Sequence, residues 1–105
     1  MSVSPIISFA KYQEIINSDR ASVLFFWSAF TPACGKIEPV FEQLSGQHPS
    51  LGFNKVNADM QAEIMMHAGI FSIPTFAAFW RGKKTDEITE PKPEALEEFI
   101  KRALH

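Results

Sequence analysis

A single cysteine, Cys34, among 105 residues excludes any disulfide within one molecule and any cysteine-rich metal centre. Histidine is also scarce. His48, His67 and His105 are dispersed along the chain, so no metal-ligand spacing exists, and no metal or cofactor is expected. Charge of one sign is lacking. A net charge of −2 supplies no field for nucleic acid or for an anionic membrane surface. No apolar run approaches the roughly 20 residues that a transmembrane helix needs. The start, Met1-Ser2-Val3-Ser4-Pro5, has no basic segment followed by an apolar stretch, so no secretory signal is expected. A lone thiol is compatible with a reducing compartment, and the cytosol is the expected location.

What is present is ordinary for a globular chain: 46% hydrophobic and 21% charged residues, with no linker, repeat or low-complexity stretch. The length fits one domain, residues 1–105, with a modest core, and ten phenylalanines predict that this core is aromatic. In chain order, Ile6–Phe9 reads as a first short strand, and Ser8 opens a helix through Tyr12, Ile15 and Ile16. Ser22–Trp27 is an apolar block of the kind buried on both sheet faces. A long helix is expected from about Pro32 to Gln47, a strand over Gly52–Asn57, and a helix over Gln61–Ala68 closed by Gly69. Thr75–Trp80 and Thr85–Thr89 form a hairpin around Arg81–Lys84, and Pro93 opens a last amphipathic helix. Strands alternating with helices, then a hairpin, predict an α/β fold: a central mixed sheet with helices on both faces.

The chemically pointed stretch is Phe26-Trp27-Ser28-Ala29-Phe30-Thr31-Pro32-Ala33-Cys34-Gly35-Lys36. Here an apolar strand stops and a helix starts. Thr31 suits an N-cap, and Pro32 suits the first helical position, where no N–H is needed. Cys34 then falls in the first turn, where the helix dipole favours a thiolate. Burial would oppose that effect.

This stretch resembles the active-site segment of the thioredoxin family, Phe-Trp-Ala-x-Trp-Cys-Gly-Pro-Cys-Lys-x-x-x-Pro, at Phe26, Trp27, Cys34 and Pro39. Ile73-Pro74-Thr75 resembles the family's Ile-Pro-Thr, whose proline is cis and faces the redox site. The likeness runs from about Ile6 to Leu104 and includes Lys55–Asp59, Phe79 and Gly82-Lys83. It implies the thioredoxin fold. It also implies a peptide groove made by the motif loop, the residue before Pro74 and the loop around Thr89. On this chain the groove residues are Trp27, Phe30, Pro32, Ala33, Ile73, Pro74 and Thr89, and Phe30, Pro32, Ala33, Ile73 and Pro74 are expected to form an apolar patch.

The departures bear directly on activity. Thr31 stands where the family has its first, attacking cysteine, and Cys34 occupies the resolving position. Phe25 replaces the buried aspartate that moves protons to the second cysteine, Phe30 replaces the tryptophan before the motif, and Ile88-Thr89-Glu90 replaces Val-Gly-Ala. Reducing a disulfide takes an attacking thiolate and a second thiol that resolves the mixed disulfide. Cys34 alone begins that exchange but cannot finish it, and a threonine hydroxyl is a poor nucleophile without a base. The expected function is therefore protein binding or self-association, including a homodimer, with dithiol reduction lost. The alternative is single-thiol chemistry at Cys34: a mixed disulfide, glutathionylation, or peroxidase-like exchange. For the last, Thr-x-x-Cys is similar to the peroxiredoxin site, though Trp27 stands where that family has proline. Lys55, whose family partner is the missing aspartate, should snorkel or find another acid. Met60, Met65 and Met66 read as packing around a short helix, and Glu94, Glu97, Glu98, Lys101 and Arg102 as a solvated face with i,i+4 pairs.

Overall fold

Two apolar faces on one sheet organise the molecule, a computed structural model that describes residues 3–104. Met1, Ser2 and His105 lie outside the described residues. The elements run β1 (Val3–Pro5), α1 (Phe9–Ile16), β2 (Ser22–Trp27), α2 (Pro32–Gln47), β3 (Gly52–Asn57), α3 (Ala62–Ala68), β4 (Thr75–Trp80), β5 (Lys83–Thr89) and α4 (Pro93–Ala103). The five strands lie in the order β1-β3-β2-β4-β5. β1, β3 and β2 are parallel, and β4 and β5 are antiparallel to their neighbours.

Alternation along the central strands splits the core in two. Val23, Phe25, Phe53, Phe76 and Ala78 face α2 and α4, meeting Cys34, Ile37, Phe41, Leu96 and Phe99. Leu24, Phe26, Val56, Ala77 and Phe79 face α1 and α3, meeting Tyr12, Ile16, Ile64 and Ala68. Successive strand residues point to opposite faces, so the apolar run Ser22–Trp27 must be covered on both. The aromatic core is real: Phe25 stacks on Phe76 at 4.6 Å, and Phe41 tilts against Phe25, Phe53 and Phe76.

Local signals set most boundaries. The Ser8 side chain accepts from the Lys11 N–H and caps α1. Gly69, with φ +70°, closes α3 in the left-handed region. Pro39 sits inside α2, where it removes one backbone donor.

Three expected boundaries are corrected. The first strand is Val3–Pro5, not Ile6–Phe9: Ser8 begins α1, so pairing with β3 ends just after Pro5, while Ile6 turns into the core and Ile7 out to solvent. β5 begins at Lys83, because Arg81 and Gly82 alone make the turn, both at positive φ (52° and 84°) as a two-residue hairpin requires. α3 begins at Ala62, with Gln61 as its N-cap. Among the described residues no helix is long and apolar enough to cross a membrane.

Candidate functional site

The loop between β2 and α2 is held from inside by Ser28. Its hydroxyl donates to Asp59 Oδ2 at 2.7 Å and accepts from the Phe30 N–H at 3.1 Å, while its own N–H donates to Cys34 Sγ at 3.5 Å. The Ala58 N–H donates to the Trp27 carbonyl at 2.8 Å, so the ends of β2 and β3 are tied together here. The chain then turns into α2, where the Cys34 N–H bonds to the Thr31 carbonyl at 3.0 Å. Cys34 is thus in the first helical turn, as the motif implied.

Thr31 is the N-cap residue, but its side chain makes no capping bond. The expectation of a hydroxyl cap is corrected. The Cys34 N–H, which such a cap would serve, is taken by the Thr31 carbonyl instead.

Cys34 is only 3% exposed and packs in the cluster that contains Phe25 and Phe41. Its thiol is pushed above the ordinary range, first by burial; the Ser28 N–H pulls it down, and the charges of Glu38 and Asp59 push it further up. Burial wins over the hydrogen bond and over the helix start. The sulfur is a sheltered thiol.

In the same cluster Phe25, where the resemblance implies a proton-moving acid, is an apolar ring fully buried between Phe76 and Phe41. Lys55, the β3 register partner of Phe25, reaches Glu38 at 3.1 Å and lies 5.6 Å over the Trp27 ring. It has found another acid. Trp27 itself is half-buried and packs against the same cluster.

The other residues expected to form the groove lie in the segment before β4 and at the end of β5. The Ile73–Pro74 peptide bond is cis. Thr75 Oγ1 bonds the Ser72 carbonyl at 2.7 Å and Thr89 Oγ1 at 3.0 Å, and the Glu90 N–H donates to the Pro74 carbonyl at 2.9 Å. Thr89 is therefore fixed against the strand that carries Pro74. Glu90 adopts a positive φ of 48°, a strained backbone for a residue with a Cβ.

The expected apolar patch is corrected in its membership. Phe30 (85% exposed) and Pro32 stand in solvent and Ala33 partly so, but Ile73 is half-buried against both core clusters and Pro74 is buried. Exposed at the same end of the sheet are Phe71 (91%), ahead of β4, and Met60 (76%), just after β3. Met60 and Met66 are thus not packing residues, although Met65 is. Alternating hydrophobicity around a seven-residue helix could not separate them.

Sequence reasoning missed Ser28, Asp59 and Glu38. The readable signals were Asn57-Ala58-Asp59, where Asn57 Oδ1 accepts from the Asp59 N–H in a turn at the strand end, and the i,i+4 spacing of Glu38 from Cys34. His67 is engaged by Tyr12, its Nδ1 lying 2.9 Å from the buried hydroxyl, and among the described residues no cluster suits a metal. On α4, Arg102 pairs with Asp86 of β5, not with a neighbour on its own helix. Arg20 bonds the carbonyls of Pro49, Ser50 and Leu51, and Arg81 pairs with Asp19.

Comparison with known proteins agrees with this arrangement. Residues 4–102 match the family model described as Thioredoxin. The chain is 33% identical over 100 residues to the thioredoxin of Malassezia sympodialis, covering 93% of this chain and 95% of that protein. It is 31% identical over 102 residues to thioredoxin-1 of Schizosaccharomyces pombe, covering 97% and 99%. The crystal structure of the Malassezia sympodialis thioredoxin superposes with a TM-score of 0.94 at 32% identity, over 99% of this chain and 92% of that one. With its five-stranded mixed sheet, its strand-to-helix cysteine and the proline segment beside it, the chain belongs to the thioredoxin family.

Proposed function

We propose that this protein is a thioredoxin-family binding module that does not complete dithiol reduction and acts through the surface around Cys34. The observation that carries this reading is one sulfur, buried in an apolar cluster, with its thiol held protonated by that burial. A dithiol cycle forms a mixed disulfide with one thiolate and breaks it with another. Thr31 offers no second sulfur, and Phe25 offers no proton acceptor.

Binding is supported by what surrounds the sulfur. Phe30, Pro32, Met60 and Phe71 are exposed at the end of the sheet where β2 and β3 finish and β4 begins. Exposed apolar side chains gathered at one place mark an interaction surface. Trp27, Ala33, Ile73, Pro74 and Thr89 form its frame and floor. The partner is a protein or peptide, a second copy of this chain included, and the setting is the cytosol. Sedimentation velocity over a concentration series, with a Phe30→Ser, Phe71→Ser variant, tests the surface. Concentration-dependent association lost in the variant supports self-association. Capture of an apolar peptide by the parent and not by the variant supports a foreign partner. A strictly monomeric parent that binds no apolar peptide would remove the proposal.

A second reading, single-thiol exchange at Cys34, is favoured by the Ser28 N–H aimed at Sγ, which stabilises a thiolate once formed. Intact mass after exposure to oxidised glutathione measures it. A glutathione adduct at Cys34 in the folded protein supports exchange, and an unmodified thiol rejects it. Peroxidase-like turnover is not favoured, since Glu38 and Asp59 bring negative charge to the sulfur and Arg20 and Arg81 are engaged elsewhere.

A further inference from the structure

An oxidant meets the sulfur atoms of this protein in an order set by exposure and ionisation. Among the described residues those sulfurs belong to Cys34, Met60, Met65 and Met66. Cys34 is 3% exposed and lies in the cluster of Phe25 and Phe41. A thiol reacts as its thiolate. An ordinary thiol is only about 3% ionised at about pH 7, and burial lowers that fraction further in Cys34. A thioether has no proton to lose, so access alone decides its reactivity. Met65 packs half-buried against the core on the α1 and α3 side of the sheet. Met60 and Met66 are 76% and 78% exposed.

Hydrogen bonds distinguish Met60 from Met66. The Met60 N–H donates to the Asn57 carbonyl at 3.2 Å, in the turn that follows β3. Its chain neighbour Asp59 accepts from the Ser28 hydroxyl at 2.7 Å, and that hydroxyl accepts from the Phe30 N–H at 3.1 Å. The turn of Met60 and the loop of Phe30 are thereby joined, at the end of the sheet where Phe71 is also exposed. The Ser28 N–H meanwhile donates to Cys34 Sγ, so one residue braces both the sheltered sulfur and the exposed one. Met66 lies on α3, whose inner residues Ile64, Met65 and Ala68 meet the core. Adding oxygen to a thioether turns an apolar side chain into a polar one, which disrupts apolar interfaces.

We propose that Met60 is a modification site for hydroperoxides, oxidised ahead of Cys34, and that its sulfoxide weakens the apolar surface it shares with Phe30 and Phe71. The Met60 sulfur attacks the outer oxygen of an alkyl hydroperoxide. The O–O bond breaks and an S–O bond forms, and the departing alkoxide takes the proton of the transferred hydroxyl and leaves as an alcohol. The sulfur loses two electrons and the hydroperoxide gains them. The effect on a partner rests on the binding function proposed above, whereas the order of oxidation does not.

Treatment of the intact chain with tert-butyl hydroperoxide, followed by peptide mapping by mass, reads every sulfur separately. Met60 and Met66 should each gain an oxygen on the order of tenfold faster than Cys34 is oxidised. The thermal midpoint should stay unchanged, because neither exposed side chain supports the core. Retention on a phenyl matrix reads the apolar surface without any partner. Each variant is compared with its own unoxidised form. Oxidation should shorten retention more in Met66→Leu, which keeps Met60, than in Met60→Leu, which keeps Met66. Sedimentation velocity on the same samples should show association falling with retention in Met66→Leu. Cys34 oxidised as fast as Met60, or equal loss of retention in the two variants, would overturn the proposal. An unoxidised parent that does not associate, yet loses retention through Met60, would remove self-association and uphold this site.

Discussion

Restoring an acid at position 25 should unfold much of what it is meant to repair. Phe25 is fully buried, lies parallel to Phe76 at 4.6 Å and meets Phe41 at 5.6 Å. Removing a buried phenylalanine side chain costs about 3–5 kcal/mol. Leaving a carboxyl unpaired in its place adds about 1–3 kcal/mol. Lys55 is the register partner, but it already holds Glu38 at 3.1 Å, and recruiting it would break that pair. Phe25→Asp should therefore lose about 4–8 kcal/mol, against a total of about 5–15 kcal/mol for a domain of this kind. The loss depends on pH with a definite sign. Burial holds the new carboxyl protonated in the folded state above its unfolded value of about 3.9, so the unfolded chain ionises first. The penalty is then smallest near or below about pH 4 and grows as pH rises. Urea unfolding followed by tryptophan fluorescence, parent against variant at about pH 4 and about pH 7, measures both terms. A difference below about 1 kcal/mol at the higher pH, or one equal at both, would refute the reasoning.

Other consequences are as direct. Burial raises the Cys34 thiol, so the unfolded thiol ionises first and folding stability should fall as pH rises beyond the ordinary thiol value of about 8.5; unfolding curves between about pH 8 and about pH 9.5, below the range of the buried Tyr12 hydroxyl, check it against Cys34→Ala, whose fall should be smaller. Iodoacetamide should label native Cys34 far more slowly than the same residue in urea, and equal rates would contradict the burial. Gly82→Ala should cost about 1–2 kcal/mol or more, since its φ is +84° and the new Cβ would stand 2.6 Å from Asn17 Oδ1; chemical denaturation reads it. Tyr12→Phe removes the 2.9 Å contact with His67 that ties α1 to α3 and should cost about 1 kcal/mol, measured as a lowered unfolding midpoint.

How much of this was legible beforehand varied with the physics involved. The strands at Ser22–Trp27, Gly52–Asn57 and Thr75–Trp80 and the helices at Pro32 and Pro93 carry unambiguous local signals, and each stands where its pattern put it. Ile6-Ile7 misled because two adjacent apolar residues fit a strand, yet one is core and the other solvent. The placement of Cys34 was readable, but not the balance around it. Helix start and burial oppose each other, and only the packing of Phe25 and Phe41 decides. Ser28, Asp59 and Glu38 act across loops or turns of helix, where spacing says little about contact. Likewise Pro74, expected in the exposed patch, is buried, because tertiary packing around β4, not residue type, decides its exposure.

The central claim is that one sheltered sulfur cannot carry a disulfide through complete reduction. Mixing reduced protein with a slight excess of a disulfide-bridged peptide, then counting released peptide thiols and reading the intact protein mass, tests it without other enzymes. The account predicts at most a trapped adduct on Cys34, with no fully reduced peptide set free and an unlabelled majority of protein. Fully reduced peptide released in proportion to protein, with no adduct remaining, would contradict it.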